Sequence, residues 1–331
     1  MMMIVALAAG VSIVEYFSGI SYLLFVARFN RLDYLQHMTE RMLSKGHYKL
    51  AKMYVNFARL DKQTVPLFQY LHGLVLYRLK AYHDAKNVFE KAKEIEPFFD
   101  EIDNIIGDNY IQLKDYNHAK PYLDHFLLLH PENIYARINL AIAEYRTDHH
   151  EASLRMLDQV LDLDENNLLA LKLKGSVQMR LKKYEQALST FQYYQTLGGQ
   201  DNGVHFNIMR LLKWLERNEE RASYAEELLF GGMDNASVYT HYGDALCRTG
   251  RFQKGAEMLT VAVRIDEHQA EAHYLLAKLM AVTHHKTEAL EHLESAIKDN
   301  PSYVIKAKYD EDFNNLRFFR KFYRLTEEVR A

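Results

Sequence analysis

Apolar residues recur along this chain with helical spacing, and the apolar stripes themselves recur every 34 residues. Stepping by 34 from Leu32 gives unit starts at Pro66, Asp100, Ile134, Leu168, Asn202, Ala236 and Ala270, so eight units run from 32 to 303 without insertion or deletion. The eighth place of the units holds Thr39, Gly73, Gly107, Ala141, Gly175, Met209, Gly243 and Ala277. The twentieth holds Ala51, Ala85, Ala119, Ser153, Ala187, Arg221, Gly255 and Ala289. One helical turn further on stand Val55, Phe89, Leu123, Leu157, Phe191, Ala225, Leu259 and Leu293, all apolar. Small residues at two fixed places predict a pair of antiparallel helices whose axes approach within about 8 to 10 Å, where a full side chain would not fit. Pro97, Pro131 and Pro301 close their units, where one helix must stop before the next begins.

Two units depart from the pattern. The first carries Thr39 instead of Gly or Ala, and the sixth carries Met209 and Arg221 where small residues belong, so looser packing is expected there. After 303 the tail reads Ala307, Asp310, Asp312, Phe313, Leu316, Arg317 and Phe322. Phe313, Leu316, Phe319 and Phe322 recur every three residues, which predicts a capping helix over 304–331 with one apolar stripe, leaving Arg317, Arg320, Lys321 and Arg324 in water.

These residues resemble the tetratricopeptide repeat, a 34-residue helix-turn-helix unit with small residues at two crossings and a proline at its end, and the tail resembles the capping segment of bacterial arrays of this kind. Tyr48, Tyr82, Tyr116, Tyr184 and Phe252, at the start of the second helices, follow the same family pattern. The resemblance implies an all-α fold: a right-handed α-solenoid of eight units over 32–303, an apolar N-terminal helix over 1–29 and the C-terminal cap. It further implies that the first helix of each unit lines a concave face that binds peptides or partner helices.

Residues projected onto that face are rich in Tyr and Arg. They include Tyr70, Tyr77, Arg78, Tyr135, Tyr145, Arg146, Lys172, Met179, Arg180, Phe206, Arg210, Lys213, Trp214, Tyr274 and Lys278. Rigid aromatics and forked guanidinium groups give much contact for little lost freedom. Arg78, Arg146, Arg180 and Arg248 occupy one place in four units, a ladder suited to acidic side chains or a C-terminal carboxylate. The other reading of that ladder is a set of good helix formers whose stems cover apolar neighbours. Around the first and third units the face is acidic instead, with Asp33, Glu40, Glu101 and Asp108. Asn104 and Asp108 stand where a clamp for chaperone C-termini would need Lys and Asn, so that ligand is not expected.

From Ile4 to Ala27 the only charged residue is Glu15. A helix of that length reaches roughly 36 Å, against about 30 Å of hydrocarbon. Its Ile, Val, Leu and Phe residues contribute about -0.3 to -0.6 kcal/mol each, against around +3 for a central carboxylate, so insertion is favoured. The alternatives are a helix packed on the first unit and a cleaved signal peptide. Arg28 and Arg31 follow the segment, which places the repeats on the cytoplasmic side of a bacterial inner membrane. Glu15, flanked by Ser12, Ser18 and Gly19, is a candidate contact for a membrane partner.

Composition narrows the function without naming it. The chain has 331 residues, 48 % of them hydrophobic and 26 % charged, which is ample for a core. With 41 basic and 44 acidic residues the formal charge is -3, so no global field draws in nucleic acid. The single Cys247 excludes an intrachain disulfide and a cysteine-rich zinc site. The sequence holds no phosphate loop, HExxH, CxxC or nucleophile elbow, and His149 with His150 and His284 with His285 fall at turns where solvated polar residues are expected. No catalytic residue, metal site, cofactor or small-molecule substrate is therefore expected. The expected function is a membrane-anchored scaffold or assembly factor of a bacterial envelope machine, with a soluble regulator or co-chaperone capped by its N-terminal helix as the alternative.

Overall fold

The computed structural model describes residues 31–58, 66–96 and 101–327; the apolar segment over 4–27, Glu15 and Pro97 lie outside them. Every regular element among the described residues is helical. The chain divides into two compact units, one ending at Leu181 and the other starting at Lys182. The first holds α1 (Arg31–Ser44), α2 (Tyr48–Ala58), α3 (Pro66–Arg78), α4 (Tyr82–Ile95), α5 (Glu101–Gln112), α6 (Tyr116–Leu129), α7 (Ile134–Arg146), α8 (His150–Leu163) and α9 (Leu168–Arg180). The second holds α10 (Tyr184–Thr196), α11 (Asn202–Trp214), α12 (Asn218–Phe230), α13 (Ala236–Arg248), α14 (Phe252–Ile265), α15 (Ala270–Val282) and α16 (Lys286–Asp299). It ends with α17 (Tyr303–Tyr309), a 3-10 turn (Glu311–Leu316) and α18 (Arg320–Glu327).

The hairpins close through a left-handed residue at the same place of every repeat: Gly46, Lys80, Lys114, Asp148, Lys182, Glu216, Gly250 and His284. At Lys80, whose φ is 61°, the amide donates to Tyr77, and the next amide, of Ala81, donates to Leu76, both at 2.9 Å. That is the paired bonding that satisfies the last carbonyls of a helix. Six of these eight positions carry a side chain despite the strain, because the turn is held from both flanks. First helices are opened by side-chain caps at matching places: Asn133, Asn167 and Asn235 accept from the amides of Ala136, Ala170 and Val238.

Between the two helices of a hairpin, bare backbone on one meets a large side chain on the other. A Cβ at Gly73 would stand 2.4 Å from the Phe89 ring, and one at Gly107 would stand 2.6 Å from Leu123. In the second compact unit a Cβ at Gly243 would meet Leu259 at 2.7 Å and the carbonyl oxygen of Gly255 at 2.9 Å. Phe89, Leu123 and Leu259 are fully buried. Burying each such side chain contributes roughly 1.5–3 kcal/mol, so these crossings are also where the core sits. Where a polar residue replaces glycine or alanine it bonds locally: Thr39 donates to Leu35 and Ser153 donates across the hairpin to Ala141, both at 2.7 Å.

In the sixth repeat α11 and α12 touch less than the helices of the other hairpins within either compact unit, as expected, yet the crossing is filled. Met209 and Arg221 are both 0 % exposed, and the large side chain at the crossing is accommodated by an ion pair. Arg221 Nη1 stands 2.9 Å from Asp244 Oδ2, although not aligned as a hydrogen bond. Asp244, only 4 % exposed, also faces Lys213 Nζ at 3.1 Å and Arg248 Nε at 3.1 Å. Burial pushes the Asp244 carboxyl up, but Arg221, Lys213 and Arg248 together outweigh it and hold the group at about 2. His241 sits in the same cluster beside Glu271, Arg221, Lys213 and Asp244, and burial lowers it to about 4, so it is neutral at pH 7.

The tail is not one helix. Phe313 and Leu316 fall on the 3-10 turn, Phe322 on α18, and these three are buried, whereas Phe319 is 39 % exposed and off the stripe. A spacing of three fits a 3-10 turn and drifts on an α-helix, which is why the stripe breaks at Phe319.

The folded carboxyl of Asp244 lies below its ordinary 3.8, so its contribution to stability is present above that value and is lost as pH falls toward 2. Asp244→Asn removes the counter-charge of a buried guanidinium and should cost about 3–5 kcal/mol at pH 7. Urea unfolding of both proteins should show that gap at pH 7 and a smaller one near pH 2. Equal stability at pH 7 would dismiss the network as a stabilising device.

Candidate functional site

The first helices of the repeats carry most of the projected aromatic and basic residues, some in each compact unit. In the first compact unit, Tyr77 on α3 donates to Asp108 on α5 at 2.5 Å, and Asn139 on α7 donates to the same carboxylate at 3.3 Å. Burial and this hydrogen bond push the Tyr77 phenol well above its ordinary range. Tyr77 also meets the ring of Tyr82 edge-on at 5.4 Å, and Tyr70 lies 6.2 Å from the Phe89 ring. Arg78 is exposed and Lys172 half-buried, while Tyr135 is 79 % exposed at the start of α7.

Tyr145 is the best-formed contact point of this group. The Arg146 guanidinium lies 5.8 Å from its ring, and the Tyr145 phenol raises the pKa of Arg180, from the next first helix. The His150 ring stands 5.5 Å away on the far side of the turn. Arg146 and Arg180 are exposed. Two solvent-facing guanidinium groups thus flank one phenol ring, a flat apolar surface between two cations.

In the second compact unit the Arg210 guanidinium lies 6.0 Å from the ring of Trp214, which packs 5.0 Å from Tyr184; Phe206 is half-buried against the core around Met209 and Ala222. Lys213 is not a free cation as the sequence suggested. Its amine is shared between Asp244 and Glu271, the latter at 2.9 Å. Arg248 departs from the ladder for the same reason, since it is the only one of the four whose neighbour four residues back, Asp244, accepts from it. Tyr274 is corrected outright: it is 1 % exposed, stacked on Tyr303 at 4.5 Å and edge-on to Phe313 at 5.6 Å. The capping segment covers it, and Asp310 accepts from its hydroxyl at 2.7 Å.

Sequence reasoning did not find Asp244, Asn139, Tyr303 or Lys306. Asp244 occupies the same place of its repeat as Asp108, Arg210 and Lys278, and that common place is the signal that could have found it. The histidine pairs do lie at turns: His149 Nδ1 is 3.0 Å from the Thr147 hydroxyl and His285 Nδ1 is 3.1 Å from that of Thr283. Among the described residues no group of three or more His, Cys, Asp or Glu is placed to hold a metal ion.

Two sequence profiles, both described as Tetratricopeptide repeat, match the chain, one over residues 138–202 and the other over 68–99 and 104–133. Among solved structures, a tetratricopeptide repeat protein from Parabacteroides merdae ATCC 43184 is similar with a TM-score of 0.53 at 14 % identity, over 76 % of this chain and 99 % of that one. MamA from Desulfovibrio magneticus RS-1 matches 52 % of this chain and 98 % of its own with a TM-score of 0.49 at 20 % identity. YrrB, described as a TPR protein with an unusual peptide-binding site, matches 56 % of this chain and 97 % of its own with a TM-score of 0.46 at 20 % identity. The profile matches overlie the second to fifth hairpins and their bare crossings, and over those residues this chain carries tetratricopeptide repeats.

Proposed function

We propose that this protein is a membrane-tethered, non-catalytic scaffold that gathers partner proteins on the first helices of its repeats, as an assembly factor of a larger bacterial envelope machine such as a flagellar, pilus, secretion or polysaccharide apparatus. The tetratricopeptide fold supports protein–protein interaction. The observation that carries the reading is the half-buried Tyr145 beside the exposed Arg146 and Arg180, an aromatic and guanidinium cluster of the composition found at binding hot spots. Acidic side chains or a C-terminal carboxylate of a partner segment are the complementary chemistry.

The tether rests on the sequence of residues 4–27 and on Arg28 and Arg31 behind them. Among the described residues no helix is long and apolar enough to cross a membrane. Glu15 within residues 4–27 is the residue proposed to face a membrane partner.

Replacing Arg146 and Arg180 together with Glu should reduce capture of partner proteins from native membranes by about tenfold while leaving thermal stability nearly unchanged, because exposed charges contribute little to folding. Undiminished capture would discard the cluster as the binding surface. Fractionation with protease protection should recover the full chain in membranes with its repeats cleavable only from the cytoplasmic side; intact protein in the soluble fraction would remove the tether and leave the soluble regulator.

A further inference from the structure

The cap closes the core with one side and turns a different chemistry to solvent with the other. From Phe313 to Thr326 the chain carries Arg317, Arg320, Lys321 and Arg324 and no carboxylate. Phe313, Leu316 and Phe322 face inward and are buried, the two rings 6.0 Å apart. The other rings of the stretch do the opposite: Phe318 is 95 % exposed, Tyr323 59 % and Phe319 39 %. The four cations alternate with these rings and are exposed as well. A stretch from Arg317 to Arg324 thus offers three rings and four cations to whatever lies outside the fold.

Folding does not require this face. An exposed ring gains nothing from burial, and Arg320 and Lys321 open α18, whose first turn holds no acidic residue, at the end where the helix dipole disfavours cations. The positive charge is not cancelled by its surroundings either. Lys321 is paired with Glu294 at 2.6 Å, whereas Arg317, Arg320 and Arg324 have no ion pair among the described residues. The nearby carboxylates are engaged elsewhere: Glu327 with Lys308 at 2.6 Å, Asp310 and Asp312 with Lys278. Glu288 and Glu291 of α16 act on His292 instead. Lys286 of α16 adds a further cation, 5.1 Å from the Phe319 ring. With Lys278, Lys286, Glu294 and the unpaired Glu311 all counted alongside residues 303–327, eight cations stand against five carboxylates. In the sequence after α18, Glu328 and Arg330 offset each other.

We propose that this face, centred on Phe318, docks on the surface of a bilayer that carries anionic lipids. The charge selects an anionic surface, and the rings select one with an apolar interior. A protein partner would have to supply a shaped pocket for a ring that stands clear of its neighbours, whereas a bilayer takes up protruding rings without one. Phe318 and Phe319 enter below the head groups, Tyr323 stays at their level with its hydroxyl wet, and the arginines bind lipid phosphates through their forked donors. The inference goes beyond the tether and does not depend on it, since residues 4–27 take no part.

The test reconstitutes the full chain carrying Phe318→Trp into vesicles of phosphatidylcholine alone, or of equal parts phosphatidylcholine and phosphatidylglycerol, all with brominated acyl chains that quench indole on contact. The emission of the chain without the substitution, which comes from Trp214, is subtracted. At about 0.15 M salt, where long-range attraction is screened, the added indole should be strongly quenched with phosphatidylglycerol and hardly at all without it. Arg317→Gln, Arg320→Gln and Arg324→Gln together should abolish that difference and leave thermal stability nearly unchanged, because exposed charges contribute little to folding. Equal quenching in the two lipids, or a difference that survives loss of the arginines, overturns the proposal. So does an indole that responds to soluble polyglutamate or single-stranded DNA but not to the vesicles, which makes the occupant another macromolecule. Flotation of the same vesicles separates this face from the tether. A chain that floats with phosphatidylcholine yet keeps an unquenched indole in both lipids retains the tether and loses the face. One that never floats with phosphatidylcholine but is quenched with phosphatidylglycerol does the reverse.

Discussion

The structure depends on one steric constraint, the contact of bare backbone on a first helix with a large side chain on the second. At Gly73, Gly107 and Gly243 the neighbouring Phe89, Leu123 and Leu259 lie so close that no Cβ fits. This contact sets the distance between the helices, and its repetition every 34 residues sets where each first helix presents its outer residues. The left-handed turn residue is the second half of the constraint. It fixes the reversal of the chain so that the bare position and the large side chain meet in register, which is why Lys80, Lys114 and Glu216 accept a backbone conformation that costs a side chain about 1–2 kcal/mol.

Where the crossing is violated, the chain replaces packing with charge. Arg221 fills the space of a small residue and is neutralised by Asp244, which also collects Lys213 and Arg248. A structural substitution thereby redraws the electrostatics of the interaction surface: Arg248 of the ladder and Lys213 of the projected face are spent on a buried carboxylate. Lys306, on the capping segment rather than on a repeat, holds its amine over the Tyr274 and Tyr303 rings. The cap has a double role. Phe313 and Leu316 close the core, while Asp310 and Asp312 occupy the surface of the last first helix and remove Tyr274 from solvent.

The repeat fold was legible in the sequence because it is written in absences at fixed spacing, and spacing survives without coordinates. The helix crossings at Gly107 and Gly243 and the apolar partners four places beyond the twentieth residue follow from that count alone. The turn chemistry was hidden, since six of the eight left-handed positions carry Lys, Asp, Glu or His rather than Gly, and only the backbone reveals what they share. The Arg221–Asp244 pair joins residues 23 apart on different hairpins, beyond the reach of any periodicity. Tyr274 was misplaced because its position in the repeat matches that of Tyr70, and nothing in the repeat pattern says that the tail folds back over it. Of the site, the Arg146, Tyr145 and Arg180 cluster was readable and the charge balance of the last two repeats was not.

The central claim is that a missing side chain is a packing requirement and not a neutral feature of the sequence. Gly243→Ala separates the two by sign. Helix propensity alone favours Ala over Gly by about 1 kcal/mol in a helix interior. The crossing instead places the new Cβ 2.7 Å from Leu259 and 2.9 Å from the backbone oxygen of Gly255, an overpacking that costs roughly 1–3 kcal/mol. Urea unfolding followed by circular dichroism should therefore show the Ala protein less stable than the parent. A more stable Ala protein would contradict the account.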